Sequence, residues 1–206
     1  MKTERLQAFS DGIFAILITI LVLEFKLPSY PRGQLRQAVW QQGPLFFSYC
    51  LTYVYIGVLW LFHHDLFSQI KQTSARLNVM NLVGLFLVTL MNYSMTLMAA
   101  SIQSGGPADM RFAFGTYDLL AFLISGSYLW FYRYLWHHHE LLQSNCTLIK
   151  HNLRTISKYP TISMGLYALA LLFNYFNVYL GLILLVIGII FHGISYYRTA
   201  RVQEQS

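Results

Sequence analysis

The side chains able to do chemistry gather at a few points along the chain. Near its start, Arg5-Leu6-Gln7-Ala8-Phe9-Ser10-Asp11-Gly12 sets a cation, a hydroxyl and a carboxylate at the mouth of an apolar run. Ser10 reads as an N-cap, its hydroxyl accepting from a backbone N–H of the first turn. Phe9 and Phe14 then take the positions of a hydrophobic staple, and Asp11 meets the positive end of the helix dipole. This helix-start chemistry leaves Arg5 unexplained, and ionisable groups at a membrane boundary ordinarily find a partner inside the bundle. The run Trp60-Leu61-Phe62-His63-His64-Asp65 offers one, because a second helix returning to the same side brings His63 level with Arg5 and Asp11. A cluster of Arg5, Ser10, Asp11 and His63 would pin the first two helices together.

His137-His138-His139 invites a metal or haem. Consecutive histidines point about 100° apart on a helix, so three in a row do not readily meet one ion. A bis-histidine haem needs a facing pair among His63, His64 and His192. Only His192 lies in a long apolar run, with no obvious partner at its depth. A membrane-embedded redox or haem protein built on these histidines is the alternative reading; solvation at the interface is the default one. His151 reads as an ordinary loop residue. Asp118, six residues past Phe112, is expected near the outer interface, satisfied by Tyr117 or Arg111 in a structural role. Asn78, Asn81 and Asn92 suit hydrogen bonds between helices or subunits. No Ser-His-Asp or Cys-His arrangement and no Gly-rich phosphate loop can be read, so no catalytic site, metal site or cofactor is expected. Cys50 and Cys146 fall at different depths and read as free thiols.

The elements that must position these groups are apolar and long. Of 206 residues, 56% are hydrophobic, 17% aromatic and 11% charged, against about a quarter charged in a soluble domain. Mean hydropathy is +0.46 and the pI about 9.3. The basic residues lie between apolar blocks rather than along one face, which excludes a nucleic-acid-binding module as the hydropathy excludes a soluble enzyme. The expected fold is an all-α membrane protein, one domain over residues 1–206. Its six spans are placed at about 10–27, 44–63, 78–102, 112–135, 160–174 and 178–198. The first is too short to face lipid alone and belongs inside a bundle. Glu24 and Lys26 stand where a signal peptide would need its cleavage site, so this span is expected to be retained. Lys2, Arg5, Lys71, Arg76, Arg133, Lys150, Arg154, Lys158, Arg198 and Arg201 fall on one side, and Lys26, Arg32, Arg36 and Arg111 on the other. The asymmetry places both termini in the cytoplasm. Trp40, Trp60, Trp130 and Trp136 fall near span ends, as interfacial anchors do.

The pattern Arg5-x-x-x-Phe9-Ser10-Asp11 opening a first span resembles the signature of the transmembrane protein 175 family of potassium channels. Trp60-x-x-His63 and the pair Asn81-Leu82 resemble further elements of that family. Animal members carry two six-span repeats; this chain has one, as bacterial members do, which implies a multi-pass protein of the bacterial inner membrane. Met91-Asn92-Tyr93-Ser94 departs from the family's Pro-Phe pair in the third span. The resemblance implies a homotetramer among membrane lipids, with the first helix of each copy lining a central pore for monovalent cations.

At about 100° per residue, Ile16, Ile20, Leu23 and Leu27 form one apolar stripe, with Thr19 on its edge and Asp11 nearly opposite. Such a stripe is ordinarily core. The resemblance assigns it to the pore instead, with Ile16, five residues after Asp11, forming the narrowest ring. Carried over likewise, Thr19 forms a hydroxyl ring, Ile20 and Leu23 further constrictions, and Glu24 and Leu27 the outer mouth. An apolar ring closes by dewetting, and it discriminates by the cost of stripping water from an ion, giving modest potassium preference. Glu24 either forms an acidic ring that concentrates cations or pairs with Lys26 or a loop arginine. No Thr-Val-Gly-Tyr-Gly filter is present.

Overall fold

A computed structural model describes residues 3–143 and 157–204. Lys2, Cys146, Lys150, His151 and Arg154 lie outside the described residues. The chain folds as α-helices: α1 (Thr3–Ile20), α2 (Leu35–Trp40), α3 (Gly43–Ser68), α4 (Ala75–Ser104), α5 (Pro107–His137), α6 (Lys158–Phe176) and α7 (Val178–Glu204). A 3-10 turn, Leu21–Glu24, continues α1, and a second, His139–Leu141, follows α5.

Five segments are long and apolar enough to cross a membrane: Thr3–Glu24, Gly43–Ser68, Ala75–Ser104, Pro107–His137 and Val178–Arg201. The fifth expected span, α6, is 19 residues long and is not among them. Helices α3, α4 and α5 overrun the expected spans at both ends and α7 overruns its span at the far end, because their polar end turns stay helical where hydropathy has already faded.

The chain's punctuation follows local chemistry. Ser74 caps α4, its Oγ accepting from Leu77 N at 3.1 Å, which meets one of the four orphan donors of a helix start. Pro107 opens α5 after Gly106, whose N–H donates to Asp109 Oδ2 at 3.2 Å. Only Asn177 separates α6 from α7. Its Oδ1 accepts from Tyr179 N at 3.0 Å while its own N–H donates to Phe173 O at 2.8 Å. One residue thus serves two helix ends, and the two helices run antiparallel as a tight hairpin.

That hairpin packs on α5, α5 on α4, and α4 on α3. Helix α1 lies against α3 and, less extensively, α4. It buries Leu6, Ser10, Phe14, Leu17 and Leu21, a three-to-four-residue spacing that keeps them on one face. At the end of the molecule that holds α1's start, Lys71 N donates to Leu141 O at 2.8 Å and Gln143 N to Gln69 O at 3.1 Å. These bonds fix the exit of α5 against the α3–α4 turn.

The first helix starts and stops elsewhere than expected. It begins at Thr3, so Ser10 and Asp11 lie two turns inside it and not at its start. Ser10 therefore caps nothing and no staple forms. The α-helix ends at Ile20, and after the 3-10 turn Phe25 is extended with ψ 90°. Pro28 disfavours helix in the residue before it, and Glu24 and Lys26 break the apolar run. Leu27 is consequently off the helix, and a helical wheel extended that far does not apply.

Candidate functional site

The helix-spanning polar cluster exists, but it is two clusters. In the first, the Ser10 hydroxyl donates to Leu6 O at 2.9 Å within its own helix. Its proton being committed there, Ser10 Oγ is free to accept, and Asn81 Nδ2 donates to it at 2.9 Å. With its amide nitrogen turned to α1, Asn81 presents Oδ1 to α3, where His63 Nε2 lies 2.8 Å away. The chain of donors therefore requires the His63 tautomer protonated at Nε2. The imidazole stacks on Phe67 with centroids 4.1 Å apart and tilts against Phe14 at 5.4 Å. Ser10, His63 and Asn81 are all buried, so three helices are joined by a relay shielded from water.

The second cluster lies on a more exposed part of the α1–α3 contact. Asp11 Oδ1 accepts from Trp60 Nε1 at 2.9 Å, and Asp11 Oδ2 stands 3.4 Å from His64 Nδ1. Gln7 Nε2 also reaches His64 Nδ1 at 3.4 Å. Asp11 thus engages Trp60 and His64 and makes no hydrogen bond to His63. Arg5 is exposed and, among the described residues, makes no ion pair or side-chain hydrogen bond. Among the described residues Arg5 makes none of the contacts its expected pinning role needs, since it sits on the exposed face of α1 with Phe9, Gly12 and Ile16. Reading the motif alone misses His64 and Gln7. The spacing of Trp60, His63 and His64, three and four residues apart, already places them on neighbouring positions of one helix face.

The other face of α1 is uncovered in the single chain. Ile16 is 59% exposed and Leu23 67%, and Phe9, Gly12, Ala15 and Thr19 are exposed beside them. Ile20 is half-buried and packs on the core. Thr19 Oγ1 donates back to Ala15 O and Ile16 O, both at 2.9 Å, which commits its proton and leaves its lone pairs available outward. Glu24 is half-buried and, among the described residues, pairs neither with Lys26 nor with a loop arginine. Beyond it, Lys26 O accepts from Gln42 Nε2 at 2.7 Å, and Phe25 packs edge-on against Tyr49 and Phe46. The chain leaving α1 is therefore folded back onto α3.

The histidines considered for a metal or haem have other partners. His138 Nδ1 lies 2.9 Å from Glu140 Oε1. The exposed Glu140 carboxyl is held below its ordinary value first by its own backbone N–H and then by His138. His192 does have partners at its depth, Gly188 O at 3.0 Å and the Tyr167 hydroxyl at 3.3 Å from Nδ1. Among the described residues no three His, Cys, Asp or Glu side chains come together as a metal site would need. Cys50 is a free thiol. Asp118 is fully buried within the bundle, and neither carboxylate oxygen has a hydrogen-bond partner among the described residues. The expected bond from Tyr117 or Arg111 is not made; the Tyr117 hydroxyl lies 3.2 Å from Thr52 Oγ1 instead.

An uncovered apolar helix face, tied from behind by a Ser-Asn-His relay inside an all-helical membrane bundle, defines a class of multi-pass membrane proteins. Residues 5–91 match the family described as endosomal/lysosomal potassium channel TMEM175. A potassium channel of Streptomyces collinus is 30% identical over 137 residues, 66% of this chain and 64% of that protein. The match thus spans just under two thirds of that relative's length. A potassium channel of Chamaesiphon minutus is 29% identical over 184 residues, 87% of each chain. The crystal structure of a lysosomal potassium-selective channel TMEM175 homologue from Chamaesiphon minutus superposes with a TM-score of 0.79 at 27% identity. It covers 94% of this chain and 97% of that one. The chain thus resembles the TMEM175 family in sequence over residues 5–91 and shares the fold of the Chamaesiphon homologue over 94% of its length.

Proposed function

We propose that this protein is a potassium-permeable cation channel in which four copies place α1 around a central pore. The observation that carries the reading is the uncovered face of α1, where Ile16, Thr19 and Leu23 stand outward while Leu6, Ser10, Phe14 and Leu17 are buried behind them. The small residues Ala8, Gly12 and Ala15 on that face allow close approach of a second helix. Ile16 forms the narrowest ring, and Leu23 and, with part of its surface, Ile20 form further apolar constrictions. Thr19 presents hydroxyl oxygens whose protons are already given to the helix backbone, so their lone pairs lower the cost of dehydrating a cation between the rings. Glu24 and Leu27, beyond the end of the helix, form the outer mouth. Asp11 and the Ser10–Asn81–His63 relay hold α1 to α3 and α4 and contact no ion.

In the same reading α6 is a sixth span, shielded by α5 and α7, both termini are cytoplasmic, and the chain sits in a bacterial inner membrane. Potassium passes in preference to sodium because it holds its water less tightly. That difference is small across an apolar ring, so selectivity is modest. The names of the Streptomyces and Chamaesiphon relatives favour this function over a histidine-based redox protein. Ile16→Asn tests the constriction in planar bilayers. Wetting of the ring should raise basal conductance several-fold and blunt the potassium preference; conductance equal to wild type would remove Ile16 from that role.

A further inference from the structure

We infer that each subunit carries a proton-binding site at Asp118, inside its own helix bundle, reached from the end of the bundle where the chain's described ends lie. Asp118 is 0% exposed and neither of its oxygens is bonded. It lies eleven residues into α5 and seven residues past Arg111, about 10 Å further along the axis, inside the membrane-spanning helix. Among the described residues it is the only buried carboxyl group. A carboxylate in such a place is uncompensated, since among the described residues no cation or donor is bonded to it; taking up a proton removes the charge.

Hydroxyls and an imidazole stand between it and that end of the bundle, none of them hydrogen-bonded to Asp118 itself; the Tyr117 hydroxyl lies 3.2 Å from Thr52 Oγ1. From α5 and α6, Tyr117 and Tyr167 stand close enough to Asp118 to interact with it electrostatically. From α3, the Tyr55 ring lies 6.3 Å from each of theirs, and its hydroxyl interacts with Tyr167 and with Ser125. From α7, His192 lies 3.3 Å from the Tyr167 hydroxyl. The only titratable side chains of α4, Arg76 and Tyr93, are exposed, one at the helix start. Ser125 lies seven residues after Asp118, on the same side of α5 two turns on, and its buried Oγ makes no short hydrogen bond.

Ser125 and His192, with Tyr128 and Tyr159, line a cavity of about 20 Å³, enough for one water at the roughly 10–15 Å³ a water needs. That cavity lies towards the start of α6, where Tyr159 and Pro160 close it. A proton delivered there moves by relay. Each hydroxyl accepts one proton on its oxygen and releases its own to the next group. The last transfer needs a side-chain rotation that brings a hydroxyl within reach of Asp118, which none touches here. Asp118 changes between carboxylic acid and carboxylate with no other bond made or broken. The site stands whether or not α1 lines a pore, so it goes beyond the channel reading.

Infrared spectroscopy of the full-length protein in liposomes at neutral pH tests it. The expected result is a protonated-carboxyl stretch that shifts in deuterium oxide and is missing from folded Asp118→Asn. Absence of that band in wild type, or its persistence in folded D118N, overturns the proposal. If D118N does not fold, carbon-13 labelling of aspartate decides the matter in wild type, where the band must shift with the label; a band that ignores the label overturns it. Ser125→Ala and His192→Gln should keep the band and slow its deuterium exchange several-fold. Exchange as fast as in wild type in both would overturn the route.

Discussion

Asn81 is the residue on which the packing of the first helix turns. Its amide is a donor to α1 and an acceptor from α3 at once, so no other side chain of similar size but one polar end can replace it. Asn81→Ala strands the His63 Nε2–H and one lone pair of Ser10 in a dry contact, at a cost of about 1–3 kcal/mol. Thr89→Ala, on the same helix, removes a hydroxyl bonded only to Phe86 O of its own helix and should stay within about 0.5 kcal/mol. Reversible unfolding in mixed micelles compares the two; equal losses would mean that the relay holds nothing. Much of this site could be read before the structure. Ser10, Asp11 and His63 are marked by type and spacing, and Trp60 and the Asn81-Leu82 pair by the family resemblance. Their pairing could not be read, because it depends on where α1 begins. A helix starting at Ser10 uses that hydroxyl as a cap, whereas one starting at Thr3 frees it to accept from Asn81.

At the scale of elements, the apolar runs located the helices and left the ends imprecise. Hydropathy marks what lipid or core demands, while a helix stops only where a cap, a proline or an extended residue stops it. The tight α6–α7 turn was legible from Asn174 to Asn177; the short α2 was not, since six residues carry too little periodicity. The hairpin also rests on close approach that periodicity does not reveal. A Cβ on Gly181 would lie 2.7 Å from Asn174 Cβ and 2.9 Å from Asn174 Cα, and one on Gly188 would lie 2.7 Å from Tyr167 Cε1. Gly181→Ala should therefore cost about 1–3 kcal/mol by overpacking. Gly188→Ala should cost less, because the Tyr167 ring can tilt. Gly193→Ala meets nothing within 4 Å and should be neutral or stabilising by up to about 1 kcal/mol from helix propensity. Thermal unfolding of the three variants gives the order, and a Gly193 variant as unstable as the Gly181 one would contradict this account of the hairpin.

For the whole molecule, one short helix cannot enclose a pore, and the uncovered face of α1 has to be covered by something. In the proposed tetramer, four copies around an axis would cover it with Ile16, Thr19 and Leu23 of their neighbours, as C4 symmetry requires of a heterologous contact that closes. Native mass spectrometry should find a particle of four times 23.9 kDa; a monomer in every mild detergent that preserves the fold would leave the face to lipid and end the pore. Assembly was not legible in composition or periodicity, because an apolar stripe reads the same whether it meets core, lipid or a second copy. The central claim is cation permeation, and the reversal potential in reconstituted bilayers under a potassium-to-sodium gradient tests it most directly. The account predicts a reversal displaced part of the way towards the potassium equilibrium potential, as an apolar ring without a carbonyl filter allows. Folded, tetrameric protein that carries no current above protein-free bilayers would contradict it.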